Sequence, residues 1–156
     1  MLHTLEAVGG IYVAMFAIAV VSGVFPLVNS EVTLITITIA IGTLPKALVL
    51  AVIVACGQTI THSSLFFTAR GIARATTKQS PKWNARIAKA RALIEKWGER
   101  WILLLCLAAV FGLPPMMLIG VAAGALGGVR FRTFVIIGLA GRILRFAALA
   151  IGAHFI

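Results

Sequence analysis

The chain has 156 residues, 61% of them hydrophobic, and a mean hydropathy of +1.07. Its net charge of +10 sets 14 Lys and Arg against four carboxylates, Glu6, Glu31, Glu95 and Glu99, with no Asp. The apolar share is well above that of an ordinary globular domain, which argues against a soluble fold and for one membrane domain covering 1–156. Lipid-soluble segments flank the basic excess, so it is expected to meet anionic lipid and no nucleic acid.

A hydrocarbon core about 30 Å thick takes roughly 20 helical residues to cross, and this sorts the apolar runs by length. Residues 7–25 are almost wholly apolar and lack the Lys/Arg-rich start of a secretory signal, so they are expected in the mature protein. Pro26-Leu27-Val28-Asn29-Ser30-Glu31 interrupts the run. The next run, 32–42, covers only about 16 Å and cannot cross. Residues 7–42 are therefore predicted to form a hairpin that enters the membrane and returns. Residues 46–69 carry one charge before the end, at Lys46, and predict a first full span.

Nine basic residues fall within 70–100, among them Arg70, Arg74, Arg86 and Arg91, which predicts a cytoplasmic segment. Inside it, Ser80-Pro81 suits a helix start. Trp83, Ile87, Ala90, Ile94 and Trp97 then share one face, with Lys82, Arg86, Lys89 and Lys96 mainly beside or opposite it and Gly98 as a stop. The stretch 80–98 is expected to be an amphipathic helix in the cytoplasmic interface, facing anionic headgroups. Beyond Trp101 the earlier pattern returns. Residues 102–113 are apolar, Pro114-Pro115 breaks the run, and 116–128 is again too short to cross, so 101–128 is a second predicted hairpin. Arg130 and Arg132 follow it, and 133–156 is a second predicted span.

The expected fold is all-α and membrane-integral: an inverted repeat of re-entrant hairpin plus transmembrane helix, with the interfacial helix between the halves. Non-helical backbone at membrane depth must be buried in protein or face water, so the breaks at 26–30 and 114–115 are expected to line an interior site. Ser30 is expected to cap the arm that starts at Glu31, and Pro115 to occupy the first turn of the arm from Met116. Two helix N-termini would then offer partial positive charge to an anion.

Arg142 and Arg145 lie inside the second span at an i, i+3 spacing. Arginine at mid-bilayer costs about 3 kcal/mol on insertion scales, so an inward, functional placement is the expectation. The alternatives are a structural ion pair with Glu31 or snorkelling toward an interface. Glu31 is the carboxylate expected within the membrane, where the helix dipole favours its anion and desolvation opposes it, leaving proton binding open. Gln58 and His62, one turn apart, add polar atoms suited to interhelical hydrogen bonds. Gly120, Gly124 and Gly128 form an expected close-packing seam. The expected substrate-binding set is Glu31, Arg142, Arg145, Ser30, Asn29, Pro26, Pro114, Pro115 and Gln58. Cys56 and Cys106 lie in apolar runs away from any ligand spacing, and no catalytic or nucleotide motif occurs, so neither a metal, a cofactor nor enzymatic activity is expected.

Pro26 with Asn29-Ser30-Glu31-Val32, then Gly57-Gln58-Thr59, Pro114-Pro115, Gly120 with Gly124, and Gly141-Arg142 with Arg145-Phe146 together resemble the DedA (VTT, SNARE-associated) membrane family, especially its short YqaA-like branch. The resemblance covers most of the chain from about residue 20 onward. It implies a bacterial inner-membrane protein with two opposed re-entrant hairpins, linked to movement of phospholipid or undecaprenyl phosphate. In relatives this extends to phosphatidylethanolamine transport, scrambling and proton-dependent membrane homeostasis. Glu31 matches the family's hairpin-tip carboxylate. Better-known members carry a second membrane acid and an arginine pair around the second proline, whereas residues 110–115 here read Val-Phe-Gly-Leu-Pro-Pro.

The first expected function is a transporter or scramblase for a lipid with an anionic phosphate headgroup. The alternatives are a proton- or cation-coupled carrier of a small solute, and a non-transporting assembly protein acting through the basic helix. A homo-oligomer is left open.

Overall fold

A computed structural model describes residues 2–25, 28–77, 85, 88–89, 92, 96 and 100–155. Among them the chain is all-helical, in the order α1 (Leu2–Ser22), α2 (Ser30–Ile41), α3 (Leu44–Thr77), α4 (Arg100–Phe111), α5 (Met116–Leu126) and α6 (Phe131–His154). Pro26 lies outside the described residues. So does most of the expected amphipathic helix 80–98, of which Ala85, Ala88, Lys89, Ala92 and Lys96 are helical and exposed.

The short and long helices separate by length as hydropathy predicts. α2 and α5, of 12 and 11 residues, rise about 18 Å and 16 Å, whereas the 34 residues of α3 and 24 of α6 rise about 51 Å and 36 Å. Both α3 and α6 are long and apolar enough to cross a membrane, and only 44% and 33% of their most apolar windows are buried. A core helix of a soluble protein would be mostly covered. Here Val49, Val52, Ile60, Phe67, Ile136, Leu144 and Ile151 point outward, as lipid-facing side chains do.

The first predicted span is extended at both ends. α3 begins at Leu44 and continues past Arg70 and Arg74 to Thr77. The apolar run stops near residue 69, but the helix does not, because the only breaker before Ser80-Pro81 is Gly71, which a helix interior tolerates at a cost of about 1 kcal/mol. Hydropathy marks where the lipid-soluble part ends; backbone propensity marks where the helix ends.

The chain divides into two compact units, 1–61 with 142–156, and 62–141. In the first, α1 packs on α2, and Gly57 of α3 lets α1 come close. A Cβ there would sit 2.9 Å from Ala19 Cβ and 3.1 Å from the Phe16 carbonyl oxygen. The buried face of α2 is Ser30, Leu34 and Thr38, one residue per turn, while Val32 and Ile39 are 58% and 54% exposed. Two of the three inward residues are polar while large apolar side chains point outward, unlike the sorted faces of a soluble amphipathic helix. α2 ends at Gly42, whose left-handed φ of 65° lets its N–H reach the Thr38 carbonyl, a glycine C-terminal stop.

In the second unit α4 packs on α5 around a core of Phe66, Leu105, Ala108, Met116, Ile119, Ala123 and Phe134. Phe66 stacks against Phe134 with ring centroids 5.3 Å apart. Gly120 and Gly124 are both buried in this packing, and a Cβ on Gly124 would overlap the Phe66 backbone. The predicted glycine seam stops there. Gly128 is beyond the end of α5, in a turn where Gly127 and Gly128 have φ of 85° and 88°, so its role is conformational, not close packing.

Candidate functional site

The start of α2 is built by Asn29. Its Oδ1 accepts the backbone N–H groups of Glu31 at 3.0 Å and Val32 at 3.3 Å, satisfying donors that a helix N-terminus leaves without partners. This corrects the expectation that Ser30 caps the arm. Ser30 is the first helical residue, 2% exposed, and its hydroxyl is turned to α3, where Gln58 Nε2 donates to Ser30 Oγ at 2.9 Å and to Ser22 Oγ at 3.2 Å. With Asn29 capping the N2 and N3 amides, the Ser30 hydroxyl is left for a partner on another helix.

Thr59 follows Gln58 and is buried. Its hydroxyl donates to the Ala55 carbonyl at 2.7 Å, the usual back-bond of a helical Thr. The same oxygen accepts from Arg142 Nη1 at 3.1 Å. Arg142 is 3% exposed, so the guanidinium is drawn into protein and not toward an interface. One turn along α6, Arg145 Nη2 is 2.5 Å from Glu31 Oε1, with the two side chains 26% and 33% exposed.

These contacts close on themselves. Ser30 touches Gln58, Thr59 touches Arg142, Arg145 touches Glu31, and each remaining step is along one helix: Gln58 to Thr59, Arg142 to Arg145, Glu31 to Ser30. Three helices of the first unit thus contribute two residues each to one polar ring. Counted over these six side chains, the formal charge is two guanidiniums against one carboxylate. Paired guanidiniums of this kind suit an anionic ligand.

Six of the nine expected site residues, Asn29, Ser30, Glu31, Gln58, Arg142 and Arg145, belong to this ring or cap it. Pro114 and Pro115 lie in the second unit. Pro115 precedes the first turn of α5 as its N-cap, with φ −54° and ψ 125°, one position earlier than expected; its carbonyl accepts from the N–H groups of Leu118 and Ile119. His62 also falls in the second unit and is buried.

Sequence reading missed Ser22 and undervalued Thr59. Each is a small hydroxyl residue inside an apolar helix, common enough to pass for packing. The one available signal was that Thr59 sits beside Gln58, so that two adjacent polar residues face neighbouring directions of one span.

Fold and site together define, among the described residues, an all-helical arrangement with two helices long and apolar enough to cross a membrane and a charged hydrogen-bonded ring within one of its two units. No protein-family model, curated protein or solved structure matches the chain.

Proposed function

We propose that the chain is a multi-pass membrane protein of the DedA type that moves a lipid with an anionic phosphate headgroup, with the phosphate held by Arg142 and Arg145. The observation that carries this reading is the net positive ring, with Arg142 buried on Thr59 and Arg145 engaged with Glu31. In this mechanism Glu31 is a stand-in ligand. A phosphate oxygen displaces the carboxylate from Arg145, the fork of the guanidinium suits a phosphate, and return of Glu31 releases the headgroup while the acyl chains stay in lipid. No covalent step is involved. Transport is thus an exchange of two anions on one cation, which keeps the barrier low at both ends.

The wider architecture belongs to the same proposal. The α1–α2 and α4–α5 pairs serve as re-entrant hairpins opening from opposite faces, with residues 70–100 on the cytoplasmic side of a bacterial inner membrane. Three features support it: short helices after each proline-containing break, one broken pair in each unit, and one half of each long helix in each unit. The motif order from Pro26 to Phe146 supports the family assignment.

The test is equilibration of a fluorescent phospholipid in proteoliposomes. Arg145→Ala is expected to abolish movement while the protein still inserts and migrates as the native form; an unchanged rate removes the mechanism. A second reading rests on the Glu31–Arg145 pair itself, since a carboxylate that exchanges a cation for a proton is what a proton-coupled solute carrier uses. That carrier would need an imposed pH gradient and fail as Glu31→Gln, whereas lipid scrambling runs without a gradient.

A further inference from the structure

A second cationic feature lies wholly in the second unit and shares no residue with the ring. A cavity of about 540 Å³ is bounded by α3, the end of α5 and the start of α6. Phe66, Arg70 and Arg74 follow one another at i, i+4 spacing along its α3 wall, and Gly127, Arg130 and Phe131 line it opposite. Two aromatic rings belong to its lining: buried Phe66 and half-buried Phe131, with centroids 5.4 Å apart. No carboxylate lines it among the described residues. One helix ends and another begins in the wall, so their dipoles offset, and three guanidiniums belong to the lining. The cavity also sits where α3 passes from its apolar stretch into the basic one.

We propose that this cavity binds a phosphate group, with Arg70, Arg74 and Arg130 as its ligands and the half-buried Phe131 ring meeting apolar atoms attached to it. Guanidinium forks take phosphate oxygens in pairs, and basic pockets between membrane helices at the cytoplasmic level are suited to lipid headgroups. The volume is in the range of small-molecule sites, more than a bare ion needs, so the phosphodiester of an anionic phospholipid is the expected source and free phosphate the other. The site is for holding and not for transit: its arginines are at the chain's exposed basic end, unlike buried Arg142.

The experiment counts lipids retained on the full-length protein by native mass spectrometry, comparing phosphatidylglycerol with phosphatidylcholine. In parallel, thermal unfolding is followed with inorganic phosphate against chloride at equal ionic strength. Replacing Arg70, Arg74 and Arg130 by Gln is expected to weaken phosphatidylglycerol binding about fivefold per residue and about a hundredfold together. These side chains are exposed, so folding should survive, and the single variants carry the test if the triple does not. Lys82→Gln with Lys96→Gln should leave retention near native, whereas Arg145→Gln should remove at most the lipid held at the ring and leave the loss caused by replacing Arg70, Arg74 and Arg130 unchanged. Those two controls separate this site from diffuse charge and from the transport site. Protection by inorganic phosphate equal to that by lipid would assign the site to soluble phosphate. Native-like retention in the arginine variants, or equal loss in the lysine variant, would overturn the proposal.

Discussion

Arg142 and Thr59 are 83 residues apart in the chain, and one hydrogen bond of 3.1 Å from Nη1 to Oγ1 joins them. The bond fixes a buried guanidinium against a span whose own backbone already holds the accepting hydroxyl in place. Arg142 therefore has little freedom to leave the interior.

Thr59→Val keeps the shape and removes the acceptor. It should destabilise the protein by about 1–3 kcal/mol, the cost of stranding a buried donor, while Thr59→Ser stays close to native. Unfolding of the purified protein in detergent measures both, and equal stability of Val and Ser variants would show that the bond is incidental.

The Glu31–Arg145 pair is partly exposed, so screening keeps its worth modest. A double-mutant cycle with Glu31→Gln and Arg145→Gln should give a coupling of about 0.5–3 kcal/mol, toward the lower end. In the proposed exchange, Glu31→Gln also removes the competitor for phosphate. The variant should bind an anionic headgroup more tightly and release it more slowly; weaker binding would contradict the role of Glu31 as stand-in.

Gly124 and Gly152 make a matched comparison. Gly124→Ala pushes a methyl into the Phe66 backbone, whereas Gly152→Ala meets nothing within 4 Å. The first should cost about 1–3 kcal/mol through overpacking. The second should be neutral or stabilising by up to about 1 kcal/mol, the propensity difference of Ala over Gly in a helix. Melting temperatures moving in the same direction would mean that the α3–α5 approach is not what Gly124 is for.

Asn29 is the cap of α2, and Asn29→Ala should lose about 1 kcal/mol, with Asn29→Ser largely restoring it. Ser30→Ala leaves the cap intact and removes one acceptor of Gln58 instead. Protection of the Glu31 and Val32 amides from hydrogen exchange distinguishes the two: it should fall in the Asn29 variant alone.

Much of the element order was legible along the chain. The interruptions at 26–31 and at Pro114-Pro115 were visible because proline and small polar residues break an apolar run wherever it folds, and the short runs on their far sides gave α2 and α5 almost residue for residue. The far end of α3 was not visible, since hydropathy falls at residue 69 while Gly71 weakens the following turn without ending the helix. Gly128 was drawn into a seam by its spacing alone; its positive φ belongs to a turn that spacing does not reveal.

What the amino-acid order determined by itself was local: which stretches are lipid-soluble, where they break, and that Glu31, Arg142 and Arg145 are charges stranded inside apolar segments. Which charge meets which partner was decided only by tertiary structure. Asn29 and Ser30 are adjacent and both can cap a helix, and only the position of Gln58 on another helix separates their roles. Arg142 and Arg145 are one turn apart, yet one turns to a hydroxyl and the other to a carboxylate, because the faces of α3 and α2 that α6 packs against differ. Burial of a charge is a property of its neighbours in space, and the chain names those neighbours only once its helices have packed.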